Sequence, residues 1–151
     1  MIKILDNNHH TISKKIHYIF QRSYAVEAEI LKCDDFPPLN RSSDEIRRSK
    51  SAFYGYFMQS NLAAVMELEK AIDHVHIRSL TVDPEFFRQG IGFKLLGFVE
   101  EEYGNRRITV ETGNENQPAV DFYLKFGFEK DHVWMTEVGI VKASFTLQKN
   151  K

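Results

Sequence analysis

The chain has 151 residues, 42% of them hydrophobic, with 20 Lys plus Arg against 21 Asp plus Glu and a formal net charge of −1. That length supports one domain over residues 1–151 with its own core, and the balanced charge argues against a nucleic-acid partner bound through counterion release. The single cysteine, Cys33, excludes an internal disulfide and suits a reducing compartment; no apolar run reaches the roughly 18 residues of a membrane span, and Met1 to Leu5 is too short for a signal core, so a soluble cytoplasmic protein with no membrane contact is expected.

Ile2 to Leu5 reads as a short first strand, and Asn7 or Asn8 is placed to cap the next helix. Ile12, Ile16, Ile19, Phe20, Val26 and Ile30 keep helical spacing, which predicts one long helix from His9 to Leu31. Cys33 to Arg41 is a loop, and Pro37-Pro38 is expected to forbid helix within it. Ser42 with Glu45 three residues on is a capping box, and Arg47, Arg48 and Lys50 suit the last turn of the short helix it starts. From Ala52 the period changes. Ala52 to Gln59 and Leu62 to Leu68 read as strands joined at Ser60-Asn61. Asp73-His74 leads into a central strand, His76 to Val82. A helix with Ile91, Leu95, Phe98 and Val99 on one face ends near Tyr103, before Gly104-Asn105. Ile108 to Glu111 is the next strand, and Pro118 and Gly127 bracket a last helix. Phe128 to Met135 and Ile140 to Leu147 are two antiparallel strands, and Gln148 to Lys151 is a frayed tail. The order β-α-α-β-β-β-α-β-α-β-β is mixed α/β (α+β), mostly antiparallel, with one β-α-β crossover from Thr81 to Thr109.

The stretch Leu80-Thr81-Val82-Asp83-Pro84-Glu85-Phe86-Phe87-Arg88-Gln89-Gly90-Ile91-Gly92 organises the rest. It is a strand, a tight turn and the first turn of a helix. The first four N–H groups of that helix have no partner inside it. No acidic side chain lies between Phe86 and Lys94, glycine lets an oxyanion approach the backbone, and Arg88 and Lys94 add positive charge. Such a helix start suits an anion, most simply a phosphate. A dinucleotide fingerprint would want glycine where Leu95 stands, and a nucleotide P-loop would want Gly-Lys-Ser/Thr. Taken alone, Gly-x-Gly after a strand is also compatible with a plain tight turn.

A second stretch runs from Val110 to Phe128 and contains Asn116, Ala119, Tyr123 and Gly127-Phe128. Together the two resemble the GNAT superfamily of acyl-CoA N-acyltransferases. The first resembles its "L-x-V-x-P" followed by Gln/Arg-x-x-Gly-x-Gly/Ala; the second resembles its "N-x-x-A-x-x-x-Y-x-x-x-G-F". One departure is visible: Phe87 occupies the usual Gln/Arg position, with Arg88 beside it. The resemblance implies a mostly antiparallel twisted sheet of about seven strands flanked by four helices. It implies two central parallel strands that splay at their C-terminal ends, with the thioester in the gap. It also implies acetyl-CoA as co-substrate, with no metal. Its pyrophosphate is expected over Arg88, Gln89, Gly90, Ile91, Gly92, Phe93 and Lys94. The pantetheine arm is expected along the backbone of Leu80, Thr81 and Val82, with Asn116, Ala119 and Tyr123 nearby.

Acyl transfer to an amine needs proton removal from nitrogen, a stabilised oxyanion and a protonated leaving thiolate. Tyr123 matches the family's usual acid, although helical spacing alone would make it a core residue beside Phe122 and Phe126. Asn116 is a helix cap by position and, by resemblance, a pantetheine ligand. A backbone N–H near Leu80 is the expected oxyanion donor. Glu111 is the first candidate base, by its resemblance to the glutamate of members that acetylate N-terminal amines of ribosomal proteins; it alternates away from Ile108 and Val110 and should face the other side of the sheet. His76 is the second, on the central strand, and Glu67 and Glu69 are weaker; many members use only a water chain. His74 and His76 lack a third ligand for a metal. The amine pocket is expected between the first two helices, the Cys33–Arg41 loop and the loop between the last two strands. Asp34, Asp35 and Phe36 there suit a cationic amine unless Phe36 simply plugs the core. The expected function is N-acetyl transfer to a primary amine of a small molecule or peptide, by a monomer or homodimer. The rivals are a non-catalytic acyl-CoA sensor or scaffold of the same fold and an unrelated nucleotide-binding domain.

Overall fold

In the computed structural model, which describes residues 1–148, the switch from helical to alternating periodicity near Ala52 separates a helical start from the sheet it packs on. Strands β1 (Ile2–Leu5), β2 (Ala52–Met58), β3 (Asn61–Lys70), β4 (His74–Val82), β5 (Arg107–Gly113), β6 (Glu129–Met135) and β7 (Val141–Leu147) form a 7-stranded sheet in the order β1-β2-β3-β4-β5-β7-β6. Only β4 and β5 are parallel neighbours; the other pairs are antiparallel. Helices α1 (His10–Leu31) and α2 (Ser43–Arg48) precede β2, α3 (Ile91–Tyr103) makes the β4–β5 crossover and α4 (Gln117–Phe126) comes after β5. This is the mixed, mostly antiparallel seven-stranded sheet with four helices that the sequence leads one to expect.

The side chains divide between two faces. Ile16, Ile19 and Phe20 of α1 and Ile46 of α2 pack on Leu5, Phe53 and Val65. Ile91, Leu95, Leu96 and Val99 of α3, with Val120 and Tyr123 of α4, pack on Val75, Ile77, Ile108, Val110 and Phe145. Each such side chain contributes about 1.5–3 kcal/mol by leaving water.

Three local expectations are corrected. Helix α1 is capped by neither asparagine: its N-cap is His9, with no side-chain bond. Asn7 instead donates to the carbonyls of Ile46 and Ser49 at 2.8 and 3.1 Å, at the end of α2. The hairpin turn is Gln59-Ser60, with Gln59 left-handed at φ 57, and Asn61 already pairs with Met58. Pro37-Pro38 does not exclude helix: both open a 3-10 turn, Pro37–Asn40, where a missing N–H costs nothing. Ser42 and Glu45 form the expected capping box. The expectation for the tail concerns residues 149–151, which lie outside the described residues.

The register of the two central strands creates the opening on which the candidate site is built. β4 and β5 pair over four positions, His74↔Arg107 to Ile77↔Val110. Beyond them β4 stays on β3 as far as Val82, and β5 stays on β7 as far as Gly113. The divergence starts at a bulge. Ser79 pairs with Glu67 and Ile77 with Leu68, so Arg78 has no partner across β3, and such an extra residue bends its strand.

Candidate active site

Past Ile77 and Val110 the sheet is open: Ser79–Val82 and Glu111–Gly113 each keep a strand neighbour on one side only. Backbone groups on the inner sides of this gap have no ladder partner, so an extended amide chain fits between them as a strand would. Leu80 and Val82 turn their side chains into the core under α3. The Thr81 hydroxyl is committed to the Val65 carbonyl at 3.1 Å.

Below the gap, the turn into α3 is held from behind. Buried Asp83 accepts from Arg22 of α1 at 2.9 Å and from the Glu85 N–H at 3.1 Å. The chain then passes through two left-handed residues, Arg88 at φ 65 and Gly90 at φ 75. The first helical bond is Lys94 N–H to the Gly90 carbonyl at 3.2 Å, which leaves the N–H groups of the first turn aimed out of the helix. A Cβ added at Gly90 would meet nothing within 4 Å, so the space beside the helix start at Gly90 is open. Gly92 has a different role. A Cβ there would lie 2.8 Å from Phe122 Cζ, so its bareness lets α3 approach α4. Phe93 continues that contact, edge-on to Phe122 with ring centroids 5.1 Å apart. Ile91 anchors the turn in the core, while Arg88 and Gln89 are exposed and Arg88 has no ion pair among the described residues. Lys94 turns away, donating to the Tyr56 hydroxyl at 3.2 Å.

On the far side of the gap, Asn116 caps α4 by accepting the Ala119 N–H at 3.4 Å. Tyr123 is buried among Phe122, Phe128 and Phe145. Burial first, then the negative charge of Glu27, pushes its hydroxyl well above the usual phenol range. Tyr123 belongs to the α3–α4 side of the sheet and Glu27 to the α1 side.

Above the gap lies a pocket of about 500 Å³. Its walls come from α1 (Tyr24, Glu27, Leu31), the loop and 3-10 turn before α2 (Phe36, Pro37, Arg41), the diverging strands (Arg78, Ser79, Glu111, Thr112) and the β6–β7 loop (Thr136, Val138, Ile140). These are the segments expected to hold an amine. Asp34 and Asp35 are not in the wall; Phe36 is, buried and edge-on to Tyr24. The carboxylates that do line it are Glu27, Glu45 and Glu111.

Glu111 faces the pocket, opposite Ile108 and Val110, and Lys142 Nζ sits 3.1 Å from it. His76 lies lower, in the paired part of β4, with Nδ1 2.8 Å from the Thr109 hydroxyl, and burial pulls its imidazole below the ordinary range. Glu67 is fully buried; desolvation favours its neutral form, but two bonds from Arg41, at 2.6 and 3.0 Å, outweigh that and hold its carboxyl low. Glu69 is half-exposed near Arg78. Glu27 escaped the sequence reading altogether, because it belongs to no motif and is one of several polar residues on a long helix. Only the turn of α1 over the gap singles it out. Among the described residues no cluster of three or more His, Cys, Asp or Glu side chains is arranged to hold a metal ion.

The family model described as Acetyltransferase (GNAT) family matches residues 14–128. The chain belongs to the GNAT acetyltransferase family. The Bacillus subtilis (strain 168) protein YqkA is 33% identical over 148 residues, which is 97% of this chain and 43% of YqkA. This GNAT chain therefore spans less than half the length of the curated relatives it matches. Among solved structures, the ribosomal-protein-S18-alanine N-acetyltransferase from Escherichia coli superposes with a TM-score of 0.75 at 20% identity, covering 97% of this chain and 92% of that one. The PaiA N-acetyltransferase from Thermoplasma acidophilum, solved in complex with coenzyme A, gives 0.73 at 19% identity and covers 99% of both chains. At such identities the structures share the fold.

Proposed function

We propose that this GNAT protein transfers an acetyl group from acetyl-CoA to a primary amine of a small molecule or peptide, by direct attack within a ternary complex. The observation that carries the reading is the gap between β4 and β5, which opens between the bare helix start at Gly90 and the pocket under α1. The residues present fit the co-substrate. Backbone N–H groups from Gly90 to Phe93, with Arg88 beside them, would take its pyrophosphate. The one-sided edges of Ser79–Val82 and Glu111–Gly113 would take its amide arm, with the Asn116 amide at hand. Acetyl-CoA supplies an activated acyl carbon. The protein's own tasks are to orient it, to place inner-edge N–H groups near Leu80 at its carbonyl oxygen, to hold a proton on Tyr123 for the departing sulfur, and to receive the amine from the pocket side. The pocket's carboxylates and aromatic rings favour a cationic acceptor. We place the protein in the cytoplasm, as a monomer or homodimer, acting without nucleic acid or membrane.

The test pairs two measurements. Acetyl-CoA should raise the melting temperature while ATP and NAD leave it unchanged. A panel of primary amines should then include some that release free CoA with amide formation. Stabilisation without turnover of any amine would make the protein an acyl-CoA binder; no stabilisation would remove the CoA site itself.

A further inference from the structure

The three carboxylates on the pocket wall differ in what neutralises them. Glu111 holds Lys142 at 3.1 Å. Glu45 is committed to its capping box, accepting the Ser42 N–H at 3.0 Å. Glu27 has no ion pair among the described residues. Lys142, a cation of the same wall, is already held by Glu111. Glu27 shares that wall with Ser79 of β4 and with Glu111, Thr112 and Gly113 of β5, residues that border the gap on either side. Glu27 therefore stands on the pocket side of the gap, beside the two strand edges expected to take the thioester arm. A half-buried carboxylate left without a cation in an aromatic-walled pocket is a place for an arriving ammonium.

We propose that Glu27 receives the ammonium group of the acceptor and takes its proton, an assignment that rests on the acyl-transfer reading above. An alkylammonium has a pKa near 10, so an ordinary carboxylate is a weak base for it. Burial raises the Glu27 carboxyl, against the opposing pull of Lys142 and Asn116, and so narrows that mismatch. The charged and titratable groups around it are Tyr24 on α1, Arg41 before α2, Arg78 on β4, Glu111 on β5, Tyr123 on α4 and Lys142 on β7. The proton balance is simple. One proton passes from the ammonium to the Glu27 carboxylate. The freed nitrogen pair forms the new C–N bond, the C–S bond breaks, the sulfur takes the Tyr123 proton, and the second proton shed by nitrogen restores Tyr123 through water. Glu27 returns its own proton to water, and one proton is released per turnover.

The experiment compares Glu27→Gln, Glu27→Ala and Glu29→Gln, each checked for an unchanged fold by thermal melting. With a good acceptor, Glu27→Gln should lower kcat by about a hundredfold or more, as loss of a general base does. Formate should restore part of the activity of Glu27→Ala. Glu29→Gln, at an exposed carboxylate of the same helix outside the pocket wall, should keep kcat within a few-fold. Independently of turnover, calorimetry of the acceptor binding to protein loaded with CoA should show at least tenfold weaker binding in Glu27→Gln. An active wild type whose Glu27→Gln variant keeps its kcat or binds the amine normally overturns this assignment alone. A wild type that binds acetyl-CoA but acetylates no amine overturns the acyl-transfer reading and this assignment with it.

Discussion

Tyr123 and Glu67 are both buried, and their surroundings treat the two charges in opposite ways. Burial and Glu27 hold the Tyr123 phenol protonated. On the acyl-transfer reading it would therefore always carry a proton to donate but would be a weaker acid than free tyrosine, so its benefit at the sulfur would be modest. Tyr123→Phe should lower kcat by about ten- to a hundredfold, at or below the bottom of the general-acid range. Acetyl-CoA affinity and melting temperature should stay unchanged, because the hydroxyl has no protein hydrogen bond among the described residues to lose. Undiminished turnover in a stopped assay would leave Tyr123 as a core residue. Glu67 instead depends on Arg41. Removing that guanidinium leaves a fully buried carboxylate with Arg78 only at 3.8 Å, and breaking a buried pair in this way costs about 3–5 kcal/mol. Because the Glu67 pKa is lowered in the folded state, this stabilisation is present above the ordinary glutamate range and is lost as pH falls through the folded value. Urea titrations should show Arg41→Ala far less stable than wild type at neutral pH, with the difference shrinking toward acid. A deficit that does not change with pH would mean Arg41 acts by packing on Phe20 and Phe53 instead.

At the scale of the element, α3 begins with two glycines that serve different ends. Gly90 carries a positive φ and faces open space; Gly92 carries the contact with Phe122. Gly90→Glu adds a left-handed side chain, costing roughly 1–2 kcal/mol, and sets a carboxylate where the phosphate is expected. Acetyl-CoA binding measured by calorimetry should vanish while the melt stays cooperative; unchanged affinity would remove the pyrophosphate from this helix start. Gly92→Ala acts on packing, not on the anion. It should destabilise the fold by about 1–3 kcal/mol, and Phe122→Leu in the same chain should recover part of that loss. Helix α1 serves at this scale too: one long element reaches from Arg22, which fixes the turn before α3, to Glu27 over the gap and Leu31 against Gly113.

For the whole molecule, the four-pair junction of β4 and β5 is the narrow waist of the sheet. Strands β1 to β4 form one wing and β5, β7 and β6 the other. A co-substrate lying in the gap would touch both. Acetyl-CoA at one hundred times its dissociation constant should add about 2.7 kcal/mol of stability, some 5–10 °C in melting temperature for a chain of this size at roughly 2–4 °C per kcal/mol. Amide hydrogen exchange should slow most along residues 80–82 and 111–113. Protection confined to one wing would mean the ligand lies on the sheet surface and not in its opening.

Periodicity, caps and the two glycine-bearing stretches were legible in the chain because they are local. The seven strands, the four helices, the Ser42 capping box and the Asn116 cap arise from side chains within a few residues of one another. The same holds for the helix start at Gly90 and the membership that Asn116, Tyr123 and Gly127-Phe128 suggest. The side on which Glu111 faces was given by strand alternation alone. What tertiary structure decided is which charges meet across distance. Lys142 reaches Glu111 from β7, Arg41 closes on Glu67 from a loop 26 residues away, and Asn7 serves α2 rather than α1. Asp34 and Asp35 fall outside the pocket, and Glu27 arrives at the gap from the far side of the sheet. No local pattern encodes these partners, because the strength of a charge in a folded protein depends on its burial and on the ion that meets it. Both exist only once α1 has been laid across the opening that the Arg78 bulge creates.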